Sequence, residues 1–269
     1  MSITQKDYLA LNKAAWNART EFHIHSDFYD WKKFVKTKSS LNEIELNLLP
    51  QNLIGKNVLH LQCHFGQDTL SLAQLGASVT GVDLSDKAIE AAQKLALETQ
   101  LEAKFICCDI YDLPNHLNEK FDIVFTTYGT IGWLPDLDKW AEIISRFLKP
   151  SGELIFVEFH PVVWMFDYDF KSIEYSYFNF GPIVETVGGT YANTNSNIQL
   201  QDVSWNHSLS EVIASLLKHN LHINEFNEFD YSPYNCFKNM EEYEKGKFKI
   251  AHLTKSIPMV YSIKAIKTQ

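Results

Sequence analysis

The sequence is short of basic residues, of paired cysteines and of long apolar runs, and each shortage excludes a class of protein. Its 24 lysines and arginines are outnumbered by 33 aspartates and glutamates, which leaves a formal net charge of -9. Nucleic acids and anionic membranes bind to basic protein faces, so neither is predicted as the main partner. No apolar run approaches the length of a membrane span, so no membrane segment is predicted.

Cysteine is also scarce. The chain has four: Cys63, Cys107, Cys108 and Cys236. Their spacing fits neither a disulfide framework nor a zinc site. The N-terminal stretch lacks the apolar centre of a signal peptide, and together these features predict a cytoplasmic protein. His60 and His64 lie beside Cys63, but residues 60 and 63 leave a strand on opposite faces and no second ligand pair has zinc spacing. No metal site is therefore predicted.

What is present is an alternation of apolar segments with helical patterns. Five segments are predicted as strands: 58–61, 79–82, 103–109, 121–128 and 153–159. Because helical patterns separate them, we expect a doubly wound α/β fold around a parallel sheet. Two further strands, 221–229 and 259–266, are joined by a connection with at most a short helix. A parallel crossover normally uses a packed helix, so this last pair is predicted to be antiparallel.

Residues 57–83, NVLHLQCHFGQDTLSLAQLGASVTGVD, follow the order strand, loop, helix, strand and acid. This layout places an adenosyl group at the carboxyl edge of a parallel sheet. Asp83 ends the second strand, where its carboxylate can accept hydrogen bonds from both hydroxyls of a ribose. The alternative is an acid that only stabilises the N-terminus of the next helix.

Four motifs in this order resemble those of the class I S-adenosylmethionine-dependent methyltransferases. They are VLHLQCHFGQDTLSLA, VTGVDLS, CCDIYDLP, and FDIVFTTYGTIGWLPD followed by LKPSGELIFVEFHP. The resemblance covers residues 57–160 and extends to the two closing strands. It implies a Rossmann-like methyltransferase fold, with a seven-stranded, mostly parallel sheet and an antiparallel closing strand. It also implies S-adenosylmethionine as cofactor and S-adenosylhomocysteine as its product.

The resemblance further implies which residues hold this cofactor. They are Trp16, Gln62, His64, Phe65, Gly66, Asp83, Leu84, Asp109, Ile110, Thr127 and Tyr128. Asp83 would bind the ribose, Leu84 would pack on the adenine face, and Asp109 would contact the adenine edge. Main chain at Thr127 and Tyr128 would line the methionine part. Alternatives stay open for two of these residues, since Asp109 could be a solvated loop acid and Trp16 could pack against the sheet.

The first motif departs from the family pattern. His60 stands where most members have an acid, and Gln62 and His64 stand where they have glycines, so only Gly66 remains. Glycine there allows close backbone approach and unusual dihedral angles. We therefore expect Gln62 and His64 in backbone conformations that tolerate a side chain, or a cofactor that lies slightly higher. The single glycine argues against a dinucleotide, whose pyrophosphate needs the glycine approach.

The resemblance divides the chain into four parts. Residues 1–50 would form an N-terminal helical lid, 51–160 the cofactor-binding α/β core, 161–206 an insertion that covers the substrate, and 207–269 the C-terminal part of the core. In such a lid, an arginine such as Arg19 or a tyrosine could hold the methionine carboxylate.

The substrate-side candidates are Tyr29, Trp164, Trp205 and His207, and His160 is the candidate base. A buried structural histidine is the alternative for either histidine, and the aromatic residues could equally form a homodimer surface. The predicted function is methyl transfer to a small-molecule acceptor, with the acceptor atom left open between O, N and C. A non-catalytic S-adenosylmethionine-binding or interaction protein is the alternative. An aminopropyl transferase is disfavoured because the fourth strand ends in Thr126-Thr127-Tyr128 without an acidic pair.

Overall fold

The computed structural model describes residues 5–188, 190, 192 and 199–268. The first four residues of the predicted lid and part of the predicted cover thus lie outside the described residues. In the described part, seven α-helices occur: α1 (Gln5–His23), α2 (Trp31–Thr37), α3 (Glu43–Leu48), α4 (Gln67–Gln74), α5 (Asp86–Thr99), α6 (Leu137–Phe147) and α7 (Leu209–Lys218). Three short 3-10 helices add to them: Ile110–Asn115, Ile131–Trp133 and Val163–Met165.

The same part of the chain contains eleven strands. They are β1 (Asn57–Leu61), β2 (Ser78–Asp83), β3 (Lys104–Cys107), β4 (Phe121–Thr127), β5 (Leu148–Phe159), β6 (Ile183–Gly188), β7 (Gln199–Ser204), β8 (Leu221–Phe229), β9 (Met240–Glu244), β10 (Lys247–Ile250) and β11 (Val260–Lys267). Seven of these strands form one sheet in the order β3-β2-β1-β4-β5-β11-β8, and two hairpins, β6–β7 and β9–β10, stand outside it.

The sheet confirms the predicted fold class. Strands β1 to β5 pair in parallel, whereas β11 runs antiparallel to both β5 and β8. The predicted antiparallel closing pair is therefore confirmed. Its connection contains the β9–β10 hairpin rather than a helix. Parallel strands joined by crossovers end at one edge of a sheet, so the loops after β1, β2, β3, β4 and β5 meet there.

Apolar packing on both faces of the sheet fixes this edge in place. Val58, Leu59 and Leu61 of β1 are fully buried, as a strand covered on both faces should be. On one face Trp140 of α6 packs against Phe156 of β5, with ring centroids 5.1 Å apart. Both side chains are completely buried. The loops of the edge thus extend from a rigid support.

Helix α1 and strand β7 form a cover over the carboxyl edge, called the roof below. The side-chain amide of Asn12 donates to Val203 O and accepts from Val203 N, both at 2.8 Å, as a neighbouring strand would. Arg19 forms a buried ion pair with Asp202. Lower on the same helix, Asn17 bonds the start of α5 through Ser85 Oγ at 2.6 Å. The roof is therefore tied to the core at one end and to the insertion at the other.

Candidate active site

A cavity of about 1290 Å³ lies between the carboxyl edge and the roof. The predicted cofactor and substrate residues that line it are Trp16, Tyr29, Gln62, His64, Phe65, Gly66, Asp83, Leu84, Asp109, Ile110, Thr127, Tyr128, Trp164, Trp205 and His207. The volume is that of a site for ligands of drug-like size or larger. The structure thus brings together residues that the sequence spreads over the whole chain.

The loop after β1 keeps the backbone shape that glycines would give it. Gln62, His64 and Gly66 have φ angles of 55°, 49° and 79°, all in the left-handed region. A side chain in this region costs roughly 1–2 kcal/mol, so the two non-glycine residues hold strained conformations. At Gly66 a Cβ atom would also lie 2.9 Å from the ring of Phe105, which explains why this glycine remains.

Gln62 fixes the loop and leaves an acceptor unused. Its Nε2 donates to Thr130 O at 2.8 Å, which joins the loop after β1 to the loop after β4. Its Oε1 is buried and has no hydrogen-bond partner among the described residues. A buried carbonyl oxygen without a donor costs about 1–3 kcal/mol, so this atom indicates a missing ligand donor.

Arg19 has the opposite kind of unsatisfied group among the described residues, a hydrogen-bond donor without an acceptor. Its side chain is only 6% exposed and lines the cavity. One guanidinium nitrogen pairs with Asp202, and the group stacks near the rings of Trp16 and Trp133, at 5.2 and 5.4 Å. The other nitrogen, Nη1, is buried without a partner in the described part of the chain. A cationic donor in this state is suited to a ligand carboxylate.

The ring of His64 belongs to an aromatic cluster between the loop and the roof. It lies 5.4 Å from the Trp16 ring, 5.3 Å from the Tyr29 ring and 4.2 Å from the Phe65 ring. Burial, and after it the nearby His23 and Arg19, holds the pKa of His64 well below its usual value, so the ring is neutral. Its Nε2 has no partner among the described residues. The ring therefore offers one polar atom to a ligand.

Asp83 lies at the end of β2 with both carboxylate oxygens anchored. Oδ2 accepts from His64 N and Oδ1 from Ser85 N, each at 2.8 Å. Burial raises the pKa of Asp83 to about 6, while these N–H donors oppose the shift. Each oxygen keeps a lone pair for a hydroxyl donor. The arrangement fits the predicted contact with two ribose hydroxyls.

Asp109 ends the next loop beside a tyrosine that sequence reasoning did not single out. Asp109 Oδ1 accepts from Tyr111 N at 3.1 Å, so one face of its carboxylate stays available. Tyr8 of α1 is 5% exposed, and its hydroxyl has no partner among the described residues. Burial raises the pKa of Tyr8, and the nearby carboxylates of Asp109 and Asp136 raise it further. The side chain packs edge-on against Trp205 at 5.1 Å.

Glu158 of β5 holds the loop after β4 and was not predicted. Its buried carboxylate accepts from the backbone N–H groups of Gly129, Thr130 and Ile131, the last two at 2.7 and 3.1 Å. Burial raises the pKa of Glu158, and the N–H donors lower it in turn. The only sequence signal is an acid inside an apolar strand, ELIFVEF.

Thr127 and Tyr128 connect the end of β4 to two buried carboxylates. Thr127 Oγ1 donates to Asp68 Oδ2 at 3.3 Å, and Tyr128 Oη donates to Glu45 Oε2 at 2.9 Å. Asp68 also accepts from Ser40 Oγ at 2.5 Å. Burial, followed by the charge of Asp68, raises the pKa of Glu45 to about 7. Asp68 lines the cavity, while Glu45 supports it from behind.

Aromatic rings build the cavity wall beyond β4. Tyr128 contacts Phe159 and Tyr234, with ring centroids 5.6 and 5.0 Å apart. Trp164 and Phe237 continue this wall at 5.8 and 5.1 Å from Phe159. The predicted insertion thus contributes Trp164, but Tyr234 and Phe237 come from the connection between β8 and β11, which the sequence did not assign to the site.

Trp205 and His207 follow β7 and line the cavity near Tyr8 and Leu134. His207 is buried, with Nε2 2.8 Å from Leu134 O and Nδ1 3.0 Å from Glu211 Oε1. These contacts position the ring. Both residues line the cavity, and a role toward the substrate stays a prediction.

His160, the candidate base, is not among the residues that line the cavity. Its Nδ1 accepts from Val162 N at 3.2 Å, and its Nε2 lies 2.9 Å from Glu228 Oε1 of β8. Both ring nitrogens are therefore occupied on the β8 side of the sheet. The residue follows β5 directly, but the chain turns there so that its ring is directed away from the site.

No group of three or more His, Cys, Asp and Glu side chains among the described residues could hold a metal ion. His60, the nearest candidate, instead bonds Thr69 Oγ1 at 2.8 Å through Nδ1. None of the described helices combines the length and the apolar character needed to cross a membrane.

The family model of the methyltransferase domain matches residues 58–152, from β1 into β5. A ubiquinone biosynthesis O-methyltransferase of Coxiella burnetii is 31% identical over 135 residues, which cover 49% of this chain and 57% of that protein. One of Pseudomonas syringae is 27% identical over 143 residues, 52% of this chain and 61% of the relative. The chain therefore spans little more than half the length of the curated relatives it matches.

Solved structures share the fold over a larger part of the chain. An S-adenosylmethionine-dependent methyltransferase of Listeria monocytogenes matches with a TM-score of 0.57 and 21% identity, over 84% of this chain and 96% of that one. Magnesium protoporphyrin IX methyltransferase from Synechocystis, solved with bound S-adenosylhomocysteine, matches with a TM-score of 0.53 and 15% identity over 97% and 100%. The chain thus has the fold of these methyltransferase structures, and its resemblance to methyltransferases extends to the domain matched over residues 58–152.

Proposed function

We propose that this protein is an S-adenosylmethionine-dependent methyltransferase that acts on a small-molecule acceptor. The proposal rests on two complementary hydrogen-bonding groups in the cavity that have no partner in the described part of the chain. Arg19 Nη1 is a buried donor without a partner, and Gln62 Oε1 is a buried acceptor without one, both among the described residues. The α-carboxylate and α-ammonium of a bound amino acid would satisfy both atoms.

The remaining polar groups match the rest of such a ligand. Asp83 has free lone pairs on both oxygens for the ribose hydroxyls. Asp109, with the hydroxyl of Tyr8, would bind the edge of the adenine, while Leu84 and Ile110 line the cavity beside them. An amino-acid end, a ribose and a base are the three polar parts of S-adenosylmethionine, and the order of strands β1, β2 and β3 presents them in sequence.

When bound, S-adenosylmethionine supplies an activated methyl group on a sulfonium. The side chains of this protein then have to align an acceptor atom and exclude water. The roof supplies the exclusion, since α1 and β7 are joined by the Asn12 and Arg19 contacts above the cavity. Glu158 holds the loop after β4, and this loop separates the cofactor side from the aromatic wall.

The extent of the cavity favours an enzyme over a non-catalytic binding protein. The cavity continues past the end of β4 to Tyr128, Phe159 and Trp164, which the cofactor-side residues do not need. A domain that only bound the cofactor would have no use for this second half. We also propose that the protein acts in the cytoplasm, where its four free cysteines would stay reduced, and a homodimer stays a prediction.

Isothermal calorimetry with S-adenosylhomocysteine tests the proposal. We expect binding to the wild type and a loss of about 100-fold or more for Asp83→Ala, because two charge-assisted hydrogen bonds are each worth about 1.5–3 kcal/mol. Asp112→Ala, which removes an exposed acid outside the cavity, is the matched control and should bind normally. Undetectable binding to the folded wild type would refute the cofactor assignment.

A further inference from the structure

The lining of the cavity as a whole is rich in acidic side chains. Of the described residues that line the whole cavity, nine are carboxylates and three are lysines or arginines. One of these three, Arg19, is already paired with Asp202, and Lys238 pairs with Asp169 outside the cavity. Lys33 lies on the exposed face of α2. Away from Arg19 the cavity is therefore acidic, and a carboxylate or phosphate that bound there would meet repulsion.

Several of these carboxylates accept hydrogen bonds from backbone N–H groups, which stabilise their charge. Asp83 and Glu158 accept from two and four backbone donors, and both have structural or cofactor roles. Asp68 is different because it accepts from two hydroxyls, those of Ser40 and Thr127. Hydroxyl donors do not neutralise a charge. Asp68 is therefore a carboxyl group held only by neutral donors; burial raises its pKa, and the two hydroxyl hydrogen bonds oppose this shift.

The surroundings of Asp68 are those of a cation site. Thr127 places it at the end of β4, next to the point where the methyl group would be presented. Burial is the main cause of the raised pKa values of Glu45, Tyr128 and Tyr234, and the charge of Asp68 adds to each of them. These groups belong to α3, the end of β4 and the loop after β8. No lysine or arginine forms an ion pair with Asp68 in the described part of the chain.

Aromatic faces complete the arrangement. Phe28, Tyr128 and Tyr234 surround the same end of the cavity, with Phe28 and Tyr234 rings 5.8 Å apart and Tyr128 and Tyr234 rings 5.0 Å apart. Aromatic faces attract organic cations, most strongly where water is excluded. A carboxylate and several ring faces around one apolar space recognise an ammonium group carried on an apolar body.

We propose that the methyl acceptor is an organic amine, with Asp68 and the rings of Tyr128 and Tyr234 as the specificity-determining residues. The amine would enter as an ammonium and pass one proton to the Asp68 carboxylate, which frees the lone pair of the nitrogen. The nitrogen would then bond to the methyl carbon as the C–S bond of the sulfonium breaks, which leaves S-adenosylhomocysteine and the methylated amine. This inference rests on the proposed methyltransferase function and names its substrate class. The charge of Asp68 would repel a carboxylate or a phosphate ester, and a neutral phenol would gain only a hydrogen bond from it.

Three probes of similar size test the substrate class: 2-phenylethylamine, 2-phenylethanol and 3-phenylpropanoate. Each is titrated by calorimetry into the wild type saturated with S-adenosylhomocysteine at pH 7.5. We expect the amine to bind at least tenfold more tightly than the alcohol, and the carboxylate not to bind. A preference for the alcohol or the carboxylate, or no binding of any probe up to 10 mM (about the weakest affinity that a specific site gives), overturns the proposal.

The variant Asp68→Asn keeps the shape of the side chain and removes its charge. We expect it to lose most of the preference for the amine while its affinity for the alcohol is unchanged. Glu174→Gln is the matched control, because Glu174 also lines the cavity but is exposed to solvent, where its charge is screened. An equal loss in both variants would contradict a specific role for Asp68.

A further comparison separates the acceptor from the cofactor. If Asp68 serves the sulfonium charge instead, Asp68→Asn will weaken S-adenosylmethionine but not the neutral S-adenosylhomocysteine, and that result overturns the proposal. If neither binds to the wild type, the proposed function itself fails. We expect both cofactor forms to bind Asp68→Asn within about threefold of the wild type, a difference of under 1 kcal/mol.

Discussion

Arg19 offers the most direct test of the cofactor's orientation, because only one of its two terminal guanidinium nitrogens has a partner among the described residues. One is neutralised by Asp202, and the other is buried without a partner in the described part of the chain. Replacing Arg19 by Gln removes the donor that we assign to the methionine carboxylate. It also leaves Asp202 buried without its cation, and breaking a buried pair costs about 3–5 kcal/mol of stability. The variant Arg19→Gln with Asp202→Asn avoids this second effect.

The magnitude follows from the chemistry of the contact. A hydrogen bond to a charged group is worth about 1.5–3 kcal/mol, which corresponds to a loss of roughly 10-fold to 150-fold in affinity. The loss should appear for S-adenosylhomocysteine, which has the carboxylate. It should be absent for 5′-methylthioadenosine, which shares the adenosine and the thioether sulfur but has no amino-acid part.

Calorimetry with both ligands on the double variant measures this difference directly. The second ligand serves as an internal control, because a distorted cavity would weaken both. Lys13→Gln removes an exposed cation of the same helix, which pairs with Asp86, and should change neither affinity. An equal loss for the two ligands would refute the assigned contact, and so would no loss for either.

Two further predictions concern stability. At position 64, where φ is 49°, His64→Gly should be more stable than His64→Ala by about 1 kcal/mol in urea unfolding, because glycine is unstrained in the left-handed region. Position 91 in the helix α5 is the control: there glycine should be less stable than alanine, so Ala91→Gly should destabilise the protein. Equal stability of the two variants at position 64 would contradict a strained loop. Burial raises the pKa of Glu45 from 4.5 to about 7, so the folded state binds this proton more tightly than the unfolded state. Stability therefore falls as pH rises from about 4.5 to 7, by at most roughly 3 kcal/mol, and Glu45→Gln should flatten this part of the profile and be more stable than the wild type at pH 8. An unchanged profile would show that Glu45 titrates normally.

The elements of the core could be predicted because their signals are local. Apolar runs and the acids at their ends, such as Asp83 and Asp109, need only a few neighbouring residues to be recognised. The left-handed conformations of Gln62 and His64 are different. Sequence reasoning identified the positions as unusual, but only the structure shows that the glycine-like backbone is kept and the side chains are added to it.

The parts that were missed depend on contacts between distant segments. The role of Glu158 could not be predicted because its hydrogen-bond partners, Gly129 to Ile131, lie in the loop after β4, far from it in the sequence. Tyr8 and Asp68 could not be assigned to the site from the sequence, because only the fold brings α1 and the end of β4 together around one cavity. His160 follows the end of β5, but it contacts Glu228 of β8 and is not part of the cavity lining, and its role as a base stays a prediction.

The pairing of Asn12 with Val203 has a consequence for timing. The two hydrogen bonds join residues that are far apart in the sequence, and the Arg19 contact with Asp202 closes the same seam. In the proposed enzyme the spent cofactor would lie beneath this seam, and we expect it to leave when these contacts break. The speed of the enzyme would then be set by how often the seam opens, with methyl transfer itself a fast event inside a slow cycle.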